Sequence, residues 1–159
     1  MLVVRSLTKS FDEKPVLTGL DLTVQPGEIL FLTGPSGAGK STALRAIANL
    51  DSYDAGHVSV DGHTPSSTGF SEWRRDVMYV PQTRISYPCT PRHLFERALN
   101  FKSRALMHFN LKESLERYVE ICCQLGLDRP NIEQQKWTEL SGGEFDIPFL
   151  SSLRLCPSI

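Results

Sequence analysis

One eight-residue segment constrains the fold and chemistry of this chain more than any other feature. Residues 34–41 read Gly-Pro-Ser-Gly-Ala-Gly-Lys-Ser, which matches the pattern G-x-x-x-x-G-K-[ST]. The apolar run Ile-Leu-Phe-Leu precedes this segment, and a stretch with apolar residues on one helical face follows it. A glycine-rich loop between a buried strand and a helix is the context in which this pattern binds phosphate groups.

Each part of this loop, which we call the phosphate loop, has a role in holding an anion. Glycines let the backbone turn its N–H groups toward one point, and the next helix adds the positive end of its dipole. We expect Lys40 to reach the β- and γ-phosphates of a nucleotide and the Ser41 hydroxyl to ligate Mg²⁺. The candidate ATP-binding residues here are Gly34, Pro35, Ser36, Gly37, Ala38, Gly39, Lys40, Ser41 and Thr42.

The rest of the sequence predicts an α/β fold with five short strands and three helical segments. Residues 28–33 contain the unbroken apolar run Ile-Leu-Phe-Leu, and a run without alternation is typical of a strand buried on both faces in a parallel sheet. Thr90-Pro91 has the form of a helix start, and Gly126 ends a one-sided apolar pattern that begins near Asn110. The predicted strands are 2–7, 16–24, 28–33, 57–60 and 77–80, with turns at 25–27 and 61–62 and helices at 41–50, after 91 and over 111–125.

Composition excludes several classes of function. The chain has 17 Lys+Arg against 18 Asp+Glu residues, so we expect no basic surface that binds nucleic acid. No apolar run approaches the roughly 20 residues that span a bilayer, and residues 1–7 lack the features of a signal peptide. The cysteines and histidines show no metal-ligand spacing. We therefore expect a cytoplasmic protein whose link to a membrane comes through a partner.

A second motif narrows the range of phosphate-binding proteins. Residues 140–144 read Leu-Ser-Gly-Gly-Glu, and here the chain resembles the ATP-binding cassette (ABC) ATPase family, whose signature segment reads Leu-Ser-Gly-Gly followed by Gln or Glu. Ser141 and Glu144 also have the spacing of a capping box, so a simple helix start is the alternative interpretation. The two interpretations coexist, because a capped helix N-terminus with two glycines is itself an anion site.

The resemblance implies the nucleotide-binding subunit of an ABC transporter, peripheral at the cytoplasmic face of a membrane, with the P-loop NTPase fold of this family (a mixed sheet with helices plus a helical subdomain). It implies ATP and Mg²⁺ as ligands, and a transmembrane permease and a second nucleotide-binding domain as partners. Gln82 would be the Q-loop glutamine, which touches Mg²⁺ or the attacking water, and Phe11 would stack on adenine. Ser141, Gly142 and Gly143 would face the γ-phosphate held by the second subunit.

Beyond Glu144 the resemblance stops. The implied domains are a nucleotide-binding core at 1–82, a helical subdomain at 83–144 and a tail at 145–159 that does not match the family. The family continues with a long helix, then a buried strand that ends in a magnesium-site Asp and a catalytic Glu, and later a switch His. Here Pro148 would break a helix begun at Ser141, and no apolar run ending in Asp-Glu occurs.

We therefore expect the fold to be incomplete on its C-terminal side, and ATP binding without turnover at a family-like rate. The resemblance also implies poor solubility, because in the family the missing strand lies beside the strand at 28–33, which would then have an unpaired edge. Two alternatives to a transporter subunit stay open: a soluble ABC protein of translation or DNA repair, and a non-catalytic binding module or unstable fragment.

Overall fold

The structure is a computed structural model that describes residues 1–81, 89–100, 111–124, 126–127, 130–136 and 139. The chain divides into two compact units, Met1–Tyr79 and Val80–Ile159. Across the described ranges, no helix is both long enough and apolar enough to cross a membrane.

Three antiparallel strands form the sheet of the first unit. Strands β1 (Leu2–Phe11), β2 (Lys14–Val24) and β3 (Ala55–Val60) lie in the order β2-β1-β3. The predictions of strands at 2–7, 16–24 and 57–60 are confirmed, and β1 and β2 run further because they form one hairpin. Both predicted turns are present as well: Glu28 N donates to Gln25 O over 3.0 Å, and Val60 and His63 exchange two bonds of 2.9 Å.

The two other predicted strands, at 28–33 and 77–80, are not strands in the structure. Leu32 packs against the core of the first unit, but Ile29 and Phe31 are 79% and 82% exposed. The expectation of a strand buried on both faces is therefore wrong. An apolar run becomes a strand only when a neighbouring strand completes its hydrogen bonds, and no segment in the described part of the chain forms that ladder with 28–33.

This exposed segment leads to a prediction about self-association. Replacing Phe31 with Thr should raise the soluble fraction and lower the amount of high-molecular-weight species, because exposed apolar segments with unpaired backbone are sites of aggregation. Size-exclusion chromatography with light scattering measures both quantities. The matched control is Phe70→Thr, which removes a phenylalanine that is 55% exposed at the start of a helix. Equal behaviour of the two variants would contradict the assignment of self-association to residues 29–31.

Helix α1 (Lys40–Ile47) follows the phosphate loop and ends in a C-terminal cap made by backbone hydrogen bonds. Asn49 is left-handed at φ 53°, and Asn49 N and Leu50 N donate to Ala46 O and Arg45 O. This is a Schellman arrangement, which satisfies carbonyls at the end of a helix. The Arg45 guanidinium donates to both carboxylate oxygens of Asp51, over 2.6 and 2.8 Å, and these bonds lower the pKa of Asp51.

Two short helices not predicted from the sequence close the first unit. They are α2 (Pro65–Thr68) and α3 (Phe70–Asp76). Trp73 in α3 is 2% exposed, and its indole Nε1 donates to the carbonyl of Ile47 at the end of α1 over 3.0 Å. Helix α3 therefore fixes the C-terminal end of α1. The buried core of this unit consists of Val4, Leu7, Leu17, Ala43, Ala46, Ile47, Val58 and Trp73.

The second unit contains helices α4 (Pro91–Leu99) and α5 (Leu111–Gln124), and a 3₁₀ turn at Ile132–Gln134. The predicted caps are confirmed: Thr90 Oγ1 accepts a bond of 3.2 Å from His93 N, and Gly126 follows α5 at φ +80°. Tyr118, Cys122 and Ile132 form the buried centre of the unit.

Candidate functional site

The phosphate loop leads directly into α1. Residues 34–38 are exposed, and Ala38 N donates to Pro35 O over 3.3 Å. Gly39 has φ 84°, a left-handed conformation that costs other residues roughly 1–2 kcal/mol. From this position Gly39 O accepts the bond of 2.8 Å from Ala43 N that starts the helix. The tight path from an exposed loop into α1 therefore depends on glycine at position 39.

Gly39 also lies directly against strand β2. A Cβ atom at this position would be 2.9 Å from Val16 Cγ1, 3.0 Å from Val16 O and 3.1 Å from Leu17 Cδ2. The pairing of β1 with β2 shifts register between Lys9 and Ser10, which leaves Val16 without a partner in the ladder. A bulge of this kind redirects a side chain, and here it places Val16 beside the last glycine of the loop.

The first turn of α1 has two features of an anion site. The N-cap Gly39 has no side chain, so no side-chain cap bond forms there, and no acidic residue lies in the first turn. The first backbone N–H groups of a helix lack partners within the helix, and the helix dipole adds positive potential at the same end. A first turn that has neither a side-chain cap nor an acidic residue fits a phosphate group.

Lys40 places its charge across the loop. The ammonium group Nζ donates to the carbonyl oxygens of Gly34 and Pro35, both over 2.7 Å. These two bonds hold the Lys40 side chain over the first residues of the loop. The ammonium and the N–H groups of the first turn therefore both lie within residues 34–42. Cations make strong hydrogen bonds to phosphate oxygens, so Lys40 and the first turn of α1 together form the candidate phosphate site.

Phe11 lies at the end of the β1–β2 hairpin, opposite Lys14 in the register of the two strands. It is 48% exposed, so its ring is available to a ligand. Two strand residues, or about 7 Å, separate Lys14 from Val16, which contacts the Gly39 position. The hairpin end that carries Phe11 therefore lies near the phosphate loop. A nucleotide that binds the loop through its phosphates and Phe11 through its base needs these two features to lie close together.

The structure describes some of the other predicted site residues and not others. Ser41 is exposed in the first turn of α1 and Thr42 is half-buried beside it. Gln82, Ser141, Gly142 and Gly143 lie outside the described residues, so their predicted roles stay predictions.

Two residues near the candidate site were missed from the sequence. The register shift between β1 and β2 brings Val16 to Gly39. No sequence pattern predicts this shift. Lys9 places its ammonium over the Phe11 ring, 5.2 Å from the ring centroid. The signal for this contact in the sequence is the spacing of Lys9 and Phe11, because residues i and i+2 of a strand lie on one face.

The ABC transporter family matches residues 17–153 of the chain. Among curated proteins, the chain is 37% identical over 150 residues to the lipoprotein-releasing system ATP-binding protein LolD of Bacteroides thetaiotaomicron, covering 91% of the chain and 65% of LolD. It is 45% identical over 74 residues to the spermidine/putrescine import ATP-binding protein PotA of Salmonella typhimurium, covering 44% of the chain and 20% of PotA. The chain thus spans less than two thirds of the length of either relative.

Two solved structures are similar to the whole fold. One is a dimeric bacterial ABC transporter cassette, with a TM-score of 0.75 and 26% identity over 97% of this chain and 70% of the other. The second is an ATP-binding subunit of an ABC transporter, with a TM-score of 0.77 and 24% identity over 96% and 60%. These similarities confirm the fold class predicted from the sequence.

Proposed function

The chain belongs to the ABC transporter family, and from that premise we propose that it binds ATP as the nucleotide-binding subunit of a membrane transporter. The observation that carries the proposal is the first turn of α1, which has no side-chain cap or acidic residue, together with the Lys40 ammonium held over the loop. The names of LolD and PotA describe ATP-binding proteins of transport systems, which supports the same function.

The proposed contacts of ATP follow from the geometry of the loop. The N–H groups at the start of α1 bind phosphate oxygens, and Lys40 exchanges its two carbonyl partners for the β- and γ-phosphates. Phe11 stacks on the base, an interaction worth about 1–3 kcal/mol per base in other proteins. Mg²⁺ neutralises phosphate charge when bound, and Ser41 would supply one of its oxygen ligands, with Gln82 as a second.

The proposed partners are a transmembrane permease and a second nucleotide-binding domain, which would place the protein at the cytoplasmic face of a membrane. One support is the dimeric cassette among the similar structures. In such a dimer Ser141, Gly142 and Gly143 would face the nucleotide of the other subunit. We keep the domain boundaries 1–82, 83–144 and 145–159 as part of the proposal. Co-purification with a permease would distinguish this function from that of a soluble ABC protein.

We further propose that residues 1–159 bind ATP without supplying the group that activates the attacking water. The sequence has no Asp-Glu pair after an apolar run, and a positioned general base typically contributes 10²–10⁴-fold to a rate. We therefore expect the purified chain to bind ATP in equilibrium dialysis and to release phosphate at no more than the background rate.

The phosphate-release assay needs one control to be decisive. Lys40→Ala shows whether any phosphate released comes from this site or from a contaminating ATPase. Multiple turnovers by the wild type that disappear in Lys40→Ala would show that a base is present after all. Absence of ATP binding by the folded wild-type chain would contradict the proposed function itself.

A further inference from the structure

A cation covers one face of the Phe11 ring. Lys9 and Phe11 are two residues apart in β1, so both side chains leave the same face of the strand. The Lys9 ammonium lies 5.2 Å from the centroid of the Phe11 ring. This is within the range at which a cation is attracted by the electron density of an aromatic face.

The loop that follows α1 holds this cation in place. Lys9 Nζ lies 3.6 Å from Asp54 Oδ1 and 3.5 Å from Ser52 Oγ, and only 13% of the Lys9 side chain is exposed. The other carboxylate oxygen of Asp54 accepts a bond of 2.6 Å from Ser10 N, and Asp54 N donates to Thr8 O over 2.9 Å. Lys9 is therefore an ordered, mostly covered side chain with two polar anchors.

Phe11 is nevertheless 48% exposed. Because the ammonium lies over one face of the ring, the opposite face is the one on which a base can stack. That open face belongs to the hairpin end near Val16 and Gly39, where the phosphate loop begins α1. A base attached to phosphates held by the loop would meet this face.

We propose that Lys9 is a positioning residue for the nucleotide base: its anchored ammonium covers one face of Phe11, fixes the ring, and leaves the opposite face for adenine. The inference rests on the proposed function. A ring already held in one orientation loses less conformational freedom when a base stacks on it, and lower ordering cost raises affinity. Because Lys9 acts through Phe11, it should affect the base and not the phosphates.

Calorimetric titration of ATP and of inorganic tripolyphosphate, both with Mg²⁺, separates these two parts of the ligand. We expect Lys9→Met to weaken ATP binding about two- to fivefold and to leave the affinity for tripolyphosphate unchanged. Lys9→Arg keeps a cation at this position and should restore most of the ATP affinity. Arg5→Met is the matched control, because it removes an exposed cation from the same strand without a contact to Phe11.

A double-mutant cycle tests whether Lys9 acts through the ring. In a Phe11→Leu background, the change Lys9→Met should have no further effect on ATP affinity. Equal ATP affinity of Lys9→Met and the wild type, an equal loss for tripolyphosphate, or additive effects in the cycle would each overturn the inference and leave ATP binding intact. A wild-type chain that binds neither ligand would overturn the proposed function, and this inference with it.

Discussion

Replacing Lys40 with Ala should weaken the binding of Mg-ATP by about 10- to 100-fold. The substitution removes the cation that lies across the phosphate loop, and a hydrogen bond to a charged group is worth about 1.5–3 kcal/mol. The expected loss is the same for tripolyphosphate, because both hydrogen bonds of the Lys40 ammonium are to carbonyls of the phosphate loop, Gly34 O and Pro35 O. Titration with a fluorescent ATP analogue and with tripolyphosphate measures both affinities.

Two controls separate this effect from a loss of folding. Lys136→Ala removes an exposed lysine of the second unit and should bind ATP as the wild type does. A thermal melt of Lys40→Ala shows whether the loss of the two carbonyl bonds unfolds the first unit. Unchanged ATP affinity in a folded Lys40→Ala variant would rule out the phosphate loop as the binding site.

The largest expected effect on stability comes from Gly56→Ala, at about 2–4 kcal/mol. Gly56 lies in β3 at φ +117°, opposite the register shift of β1. A Cβ atom there would be 2.6 Å from Leu7 Cα, 2.8 Å from Ser6 O and 2.9 Å from Arg5 O. All three are backbone atoms, so the neighbouring strand itself would have to move. The melting temperature should fall by about 10 °C or more.

Gly62→Ala is the matched control for this substitution. Gly62 has φ +82° in the turn after β3, and an added Cβ would meet no described atom within 4 Å. Its cost should be that of the backbone conformation alone, about 1–2 kcal/mol. Similar melting temperatures for the two variants would show that the contact with β1 is not the cause.

The parts of the fold predicted from the sequence are those decided by short segments. The structure confirms the strands predicted at 2–7, 16–24 and 57–60, the turns at 25–27 and 61–62, and the caps at Thr90 and Gly126. Each of these was predicted from residues close together in the chain. The phosphate loop was found because its glycines, lysine and serine occur at fixed spacing.

The parts that the sequence did not reveal depend on distant contacts. Residues 28–33 have the composition of a buried strand, but Ile29 and Phe31 are exposed because composition does not provide a pairing partner. Helix α3 is not predicted from the sequence, because what holds it in place is the distant bond from Trp73 to the end of α1. The approach of Val16 to Gly39 follows from a register shift between β1 and β2 that no pattern indicates.

The most direct test of phosphate binding at this loop is a titration of the isotopically labelled wild-type chain with Mg-ATP, followed through backbone amide resonances. We expect the largest shifts at Gly37, Gly39, Lys40 and Ser41, because these N–H groups lie in the loop or the open first turn of α1. Tripolyphosphate should shift the same amides, and ATP should also shift those near Phe11. Millimolar Mg-ATP that leaves the amides of residues 34–42 unshifted, or shifts only resonances elsewhere, would contradict nucleotide binding at this site.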